Sequence, residues 1–327
     1  MTEDRASVGG PEVSVVIPTR DRWELLSRTA LRSALGQEDV EHEVIVVDDG
    51  SSDGTAERLA ELDEPRLRVV RHEQGKGVAQ ARNAGIAAAR GEWVAFLDDD
   101  DLWSPRKLRL QIDAAQAASA VFVFAGSVWV DDELRFLHGH ALPDPAALAP
   151  ALLRWNVVWG GCSNVIARTD LLRELGGFDE ELFQLSDWDL WIRLALAGPA
   201  AAVDDVLVAL VMHRESMLLV DRRDVFVEFD RLVARHADAE ARFGVKPDRV
   251  LFARWVAAGH LRAGRRRAAA RTYLRGTRNV GNVVRAGGAM LGPRVMRAGS
   301  AVLGRVPRRD TAGHGTASEP RWLDLYR

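Results

Sequence analysis

The apolar run Val94-Ala95-Phe96-Leu97 ends in four consecutive carboxylates, Asp98 through Asp101, followed by Leu102-Trp103. Neighbouring like charges repel, so a strand end gains nothing from such a cluster by itself. A hard divalent cation reverses the balance. Mg²⁺ or Mn²⁺ takes oxygen ligands and is commonly shared between one or two carboxylates and substrate phosphates. The competing account is a solvated acidic loop ahead of a helix starting near Pro105.

A second acidic turn weighs against that account. The strand-like run Glu43–Val47 enters Asp48-Asp49-Gly50-Ser51-Ser52-Asp53-Gly54-Thr55, whose glycines, aspartates and serines are turn formers. Ser52 or Asp53 can cap a helix over about residues 55–62. A third run, Val13–Ile17, stops at Pro18-Thr19-Arg20-Asp21. Strands that each lead through a polar loop into a helical pattern predict a parallel sheet with helices on both faces. Ligands bind beyond the carboxyl ends of such strands, where the unusual polar residues of this chain lie.

Four segments carry a resemblance: Val-Ser-Val-Val-Ile-Pro-Thr-Arg (13–20), Val-Val-Asp-Asp-Gly-Ser-Ser-Asp-Gly-Thr (46–55), Ala-Arg-Asn-Ala-Gly (81–85) and Phe-Leu-Asp-Asp-Asp-Asp (96–101). In this order and spacing they resemble the inverting glycosyltransferases of family 2, with the GT-A fold. Gly-Gly-Phe-Asp-Glu-Glu-Leu (176–182) and Ser-Asp-Trp-Asp-Leu-Trp-Ile-Arg-Leu (186–194) resemble the second half of the same domain. The fold implied is α/β, a Rossmann-like and mostly parallel sheet flanked by helices, with a C-terminal helical extension. The expected organisation is a flexible N-terminus (1–11), a GT-A domain (12–222), a helical extension (223–280) and a basic, loosely ordered tail (281–327).

The resemblance implies metal-dependent transfer of a sugar from a nucleotide diphosphate donor, UDP foremost with dTDP and GDP behind it. The hydroxyl acceptor would belong to a polysaccharide, glycolipid or cell-envelope glycan. Asp98 and Asp100 match the Asp-x-Asp element, with Asp99 between them. Asp100 is the expected ligand of Mn²⁺ or Mg²⁺, together with the late His213. Asp98 is expected at ribose or metal-bound water, and Asp101 as a helix cap. Pro18, Thr19, Arg20, Asp48, Asp49, Arg82 and Asn83 fall where the family holds the donor nucleotide. For Asn83 a buried amide tying loops together is the equal alternative. Gly160 and Gly161 match a loop beside the donor sugar, where small residues let backbone approach a ligand. Trp188 is placed there too, with packing as its other role. Inversion needs one general base. The family usually writes Glu-Asp where this chain has Ser186-Asp187, so Asp187 is the expected base and Asp189 the alternative.

Composition narrows the rest. The single cysteine, Cys162, excludes an internal disulfide and fits a reducing compartment. No apolar run follows the first residues and none reaches 18, so neither a signal peptide nor a membrane span is expected. The expected location is cytoplasmic, at the inner face of the membrane. Charge is uneven: residues 254–309 hold 14 arginines and no acid, against a net charge of −3 for the chain. That implies an anionic contact, with the inner leaflet, a polyprenyl phosphate acceptor or nucleic acid as candidates, or a basic hairpin docking on the chain's own acidic domain. Two other readings stay open. A sugar nucleotidylyltransferase would need a glycine-rich loop after the first strand, which Pro18-Thr19-Arg20-Asp21 is not. An inactive scaffold that binds anionic polymers would not need the acids retained here.

Overall fold

The computed structural model describes residues 10–212, 224–276, 280–291 and 318–327. Its parallel half consists of β1 (Val13–Thr19), β2 (His42–Asp48), β3 (Leu67–Arg71) and β4 (Trp93–Phe96), in the order β3-β2-β1-β4. Every residue of β1, β2 and β4 is buried, which explains why these strands read as unbroken apolar runs rather than alternating ones. Val13 pairs with His42 on one side and Trp93 on the other. The chain thus lays β2 and β3 on one side of β1 and returns to place β4 on the other. The carboxyl ends of β1 and β4 flank the point where strand order reverses, the usual crevice of such sheets.

The sheet continues past β4 with β8 (Ile166–Arg168), β6 (Phe122–Asp131), β9 (Ala200–Met212) and β5 (Leu102–Trp103), while β7 (Phe136–Gly139) pairs with β6. β8 runs antiparallel to both β4 and β6. Helices in the same stretch of sequence are α1 (Trp23–Arg28), α2 (Ala30–Leu35), α3 (Thr55–Ala60), α4 (Val78–Ala88), α5 (Lys107–Ala118), α6 (Leu148–Arg154), α7 (Thr169–Glu174) and α8 (Ser186–Ala197), of which α6 falls, from Ala149 on, in the second of the chain's two units. This is the α/β architecture expected from the sequence.

Details differ from expectation for physical reasons. Residues 23–35 carry a helical pattern, but the helix breaks at Thr29 (φ −113°, ψ −86°), whose hydroxyl bonds the carbonyls of Leu25 and Asp99. The tie to the acid cluster outweighs helix continuation. Asp101 caps no helix, since α5 begins only at Lys107.

The described chain divides into two units. The first holds the whole sheet and the C-terminal residues, and the second comprises 149–157 with the later helices. Those helices are α9 (Val225–Arg235), α10 (Ala237–Phe243), α11 (Arg249–Arg262), α12 (Arg266–Gly276) and α13 (Val280–Leu291). Residues 224–243 do not form one helix: His236 (φ −102°, ψ 13°) separates α9 from α10. Phe229 stacks on Phe252 at 4.3 Å, and Trp155 and Trp255 flank that pair. The region from 281 was expected to be loosely ordered, yet α13 is a helix. Its small Ala286 and Ala289 are buried with Ala257, Ala269, Ala270 and Tyr273, so close approach replaces bulky side chains. At the chain end, Leu323 is fully buried against β6 and β9 residues, and Tyr326 donates its hydroxyl to the Trp103 carbonyl at 3.0 Å. Among the described residues no helix is long and apolar enough to cross a membrane.

One helix crossing is tight enough to test. A Cβ on Gly85 of α4 would lie 2.2 Å from Cγ1 of buried Val16 in β1. Alanine in a helix interior normally gains 0.5–1 kcal/mol or so over glycine. Here the β-branched Val16 cannot rotate away. Gly85→Ala is therefore expected to destabilise the protein by about 1–3 kcal/mol, measured by urea unfolding. A gain in stability would refute the close packing of α4 on β1.

Candidate active site

The four aspartates after β4 turn to partners from several elements, with Arg22 shared by Asp99 and Asp100. Asp98 accepts from the Arg82 guanidinium at 2.5 Å, and its backbone N–H donates to Ser163 Oγ at 3.0 Å. Asp99 accepts from Thr19 Oγ1 at 2.8 Å and from Arg22 at 3.1 Å; the same Arg22 nitrogen donates to Asp100 at 3.1 Å. Asp101 accepts from Ser163 Oγ at 2.5 Å and from the Val211 N–H at 3.2 Å. Burial, reinforced by the Asp100 charge, pushes the Asp99 carboxyl up to about 7, although Arg22 and Thr19 pull it down. Burial, with the charges of Asp100 and Asp98, holds Asp101 well above the usual carboxylate range. Two guanidinium groups thus face four carboxylates, and the excess is negative.

Arg82 joins this cluster to Asp187. It is buried on α4 beside Asp98, with its ring neighbour Phe178 centred 5.3 Å away. Burial opposes its charge, but Asp98 foremost, with Asp187, favours it and keeps it protonated. Asp187 sits in the first turn of α8 and accepts from the Trp188 N–H at 2.6 Å. Burial raises its carboxyl to about 6, with Arg82 acting against that rise and Asp98 adding to it. Asp189 is fully buried and salt-bridged to Arg193 at 2.7 Å, and Arg193 also holds the carbonyls of Leu175 and Gly177. Asp187 therefore lies in the electrostatic neighbourhood of the acid cluster, and Asp189 is engaged in holding the Gly176-Gly177 turn. Cys162 is buried, and burial holds its thiol well above the ordinary value, so it is no nucleophile.

The glycine loop is fixed from below. Trp103 donates its indole N–H to the Ser163 carbonyl at 2.7 Å, and Gln111 donates to the Asn164 carbonyl at 2.9 Å. Asn164 in turn holds the Trp159 carbonyl. Gly160 (φ 101°) abuts Asn164 and Ser127, whereas a Cβ on Gly161 (φ 52°) would meet no atom within 4 Å. Backbone is thus presented to open space beside Ser163. Trp188 does not share that space. It is buried in the core, so its indole packs and offers no stacking face.

The first two loops are tied together. Pro18 pairs with Val47 and Thr19 with Asp48 at the ends of β1 and β2. Asp21, at a positive φ of 52°, accepts from the Ser52 N–H, and its own N–H donates to Ser51 Oγ. Arg20 is exposed near Asp21 and beside Gly75. Fully buried Asp48 accepts from the Ser51 N–H, and its other oxygen lies 3.3 Å from Arg71 without an aligned hydrogen bond. Asp49 accepts from the N–H groups of Lys76 and Gly77 and meets His72 Nδ1 at 2.7 Å, so it anchors the loop 74–77. Asn83 clamps the chain after Gly177: it accepts from the Phe178 N–H and donates to the Phe178 carbonyl and to Glu180. Arg22 and Ser163 were not singled out from sequence. Arg22 stands 77 residues from Asp99, and no local signal links them.

His213 lies outside the described residues. Among those described, no three His, Cys, Asp or Glu side chains converge as a metal shell. The all-oxygen, negatively surplus set does fit a cation that takes one or two carboxylates from protein and the rest from phosphate.

The family model for Glycosyl transferase family 2 matches residues 14–176, from β1 through the acid cluster to the Gly176 turn. The succinoglycan biosynthesis protein ExoO of Rhizobium meliloti (strain 1021) is 32% identical over 239 residues, covering 69% of this chain and 68% of ExoO. The chain belongs to glycosyltransferase family 2. It is accordingly an enzyme that transfers glycosyl groups. The UDP-Glc:alpha-D-GlcNAc-diphosphoundecaprenol beta-1,3-glucosyltransferase WfgD of Escherichia coli is 27% identical over 192 residues, 59% of this chain and 73% of WfgD. The putative teichuronic acid biosynthesis glycosyltransferase TuaG of Bacillus subtilis is 38% identical over 118 residues, 36% of this chain and 46% of TuaG. In fold, the crystal structure of S. aureus TarS 1-349 in complex with UDP-GlcNAc superposes with a TM-score of 0.56 at 18% identity, covering 87% of this chain and 82% of TarS 1-349. The GT-A fold expected from the motifs is thereby shown.

The raised Asp99 value makes a signed prediction. Its folded value, about 7, lies above the ordinary unfolded carboxylate value. The stabilisation it gives is complete at low pH and is lost as pH rises through about 7. Asp99→Asn removes that loss, so its melting temperature should gain on the parent's as pH rises from about 4 to 7, with chelator present. A difference that does not change with pH would show that Asp99 is not held protonated by its surroundings.

Proposed function

We propose that this glycosyltransferase moves a sugar, with inversion, from a UDP-sugar to a hydroxyl of a polysaccharide or lipid-linked cell-envelope glycan. The observation carrying this reading is the meeting of Asp187 with the Asp98–Asp101 cluster across buried Arg82, beside the β1/β4 crevice. UDP is supported by the TarS complexes with UDP and UDP-GlcNAc. The acceptor class is supported by the roles named for ExoO, TuaG and WfgD.

In this reading Asp187 accepts the acceptor hydroxyl's proton as the bond to the anomeric carbon forms. Asp98, Asp99 and Asp100, with Thr19 and Arg22, surround the leaving diphosphate, and Gly160 and Gly161 let backbone approach the donor sugar. Pro18, Thr19, Arg20, Asp48 and Asp49 shape the base pocket. Mn²⁺ or Mg²⁺, held by Asp100, would supply charge neutralisation at the diphosphate, with Asp98 at ribose or metal-bound water. His213 remains the proposed additional ligand.

Two measurements test the reading. A screen of nucleotide-sugars for turnover identifies the donor, and the pH profile of kcat then identifies the base. Transfer should rise with pH through about 6, because only the ionised Asp187 accepts a proton. Asp187→Asn should keep donor affinity, lose that limb and lower transfer by roughly 10²-fold or more, while Asp189→Asn should act on stability. The opposite pattern would move the role to Asp189.

The metal assignment has its own test. Asp100→Ala should abolish UDP-dependent Mn²⁺ binding in isothermal titration while leaving the fold intact. Binding equal to the parent's would remove Asp100 from the metal shell.

A further inference from the structure

Two neighbouring helices of the second unit turn dissimilar faces outward. α12 exposes Arg266, Arg267, Arg271, Leu274 and Arg275. Its Ala269, Ala270 and Tyr273 point into the core shared with α13. α13 buries Asn282, Ala286 and Ala289 at helical spacing. On its other side Val283 (50%), Val284 (41%) and Met290 (51%) are exposed, and Gly287 lies between them. An apolar outer face beside an arginine-rich one is unusual on a folded surface.

Most of the charges there lack counterions. Two arginines of this unit are paired, Arg249 with Asp230 and, at the end of α12, Arg275 with Asp224. Among the described residues Arg265, Arg266, Arg267 and Arg271 make no ion pair, and the Arg265 Nε is buried without a hydrogen-bond partner. No acid occurs between residues 254 and 309 to supply one. Burial, with Arg265 and Arg271 close by, holds the His260 imidazole below its ordinary value, in keeping with a locally positive field.

We propose that the outward faces of α12 and α13 dock on an anionic phospholipid bilayer. Val283, Val284 and Met290 enter the boundary between headgroups and acyl chains, while Arg266, Arg267 and Arg271 meet lipid phosphates. Both chemistries are needed to choose this partner. A nucleic acid would use the arginines and leave the apolar face in water; a protein partner with an apolar patch would leave the arginines unpaired. A bilayer surface satisfies both, and modest apolar insertion combined with charge is how interfacial helices bind reversibly. The inference is independent of the sugar-transfer reading, because vesicle binding needs neither donor nor acceptor.

Flotation of the full chain with vesicles of phosphatidylcholine alone, or with phosphatidylglycerol added, decides it. The protein should float with the anionic vesicles and be released by salt. Reversing Arg266, Arg267 and Arg271 together to Glu should lower the partition coefficient by about a hundredfold, while the same positions as Lys should retain binding. Val283→Asp with Met290→Asp should weaken binding to anionic vesicles at unchanged melting temperature. Equal recovery on neutral and anionic vesicles, or variants that float like the parent, would overturn the proposal. A change of oligomeric state in Val283→Asp/Met290→Asp without lipid would overturn it too, assigning the face to a second copy of the chain. Protection by oligonucleotide in place of vesicles would assign the arginines to nucleic acid.

Discussion

Four carboxylates at the end of β4 face the guanidinium groups of Arg22 and Arg82, and much of the first unit is organised by that imbalance. An unpaired buried carboxylate costs several kcal/mol or so. The aspartates therefore draw partners from several elements of the fold. Arg22 comes from the entry to α1, Arg82 from α4, Ser163 from the glycine loop and the Val211 N–H from β9. The Asp99 carbonyl even recruits Thr29 and so breaks the helix at that point. The cluster is thus both the chemical centre and a structural hub, and a charge change there propagates into loop positions.

The sheet was legible because its parallel strands are buried on both faces and carry no competing pattern. Elements created by long-range pairing were not. Leu102–Trp103 is a two-residue strand only because it pairs with Ala209 and Val208, more than a hundred residues away in sequence. The breaks at Thr29 and His236 arise inside sequences with adequate helical pattern. α13 was missed because Ala and Gly look weak in a composition count, yet small residues are what allow close helix packing in the Ala257–Ala269–Ala289 cluster.

Site residues divide along the same line. Acids at strand ends could be named from sequence, but their partners could not. Several residues that the motif places near the donor spend their polar groups on scaffolding. Asn83 clamps the Phe178 backbone, Asp49 anchors the loop 74–77, and Trp188 packs inside. A polar residue in a motif can thus serve by shaping the loop that meets the ligand. For Asp49 the two roles do not compete, because a carboxylate has further lone pairs to offer.

The distinction between Asp187 and Asp189 shows how environment assigns roles to similar groups. Both sit on the first turn of α8, Asp189 fully buried and Asp187 half-buried. Asp189 has a full ion pair with Arg193, which makes it a strut for the Gly176-Gly177 turn. Among the described residues Asp187 has no such dedicated pair. It feels Arg82, but Arg82 already donates to Asp98. Burial therefore keeps the upper hand and leaves the Asp187 carboxyl near 6, below neutrality but close to it. A base there is ionised at working pH and still basic enough to take a hydroxyl proton as the bond forms. Arg82 is consequently shared between the two halves of the reaction centre. By neutralising Asp98 it limits how far the acid cluster can raise Asp187, and by not binding Asp187 outright it leaves that carboxylate available.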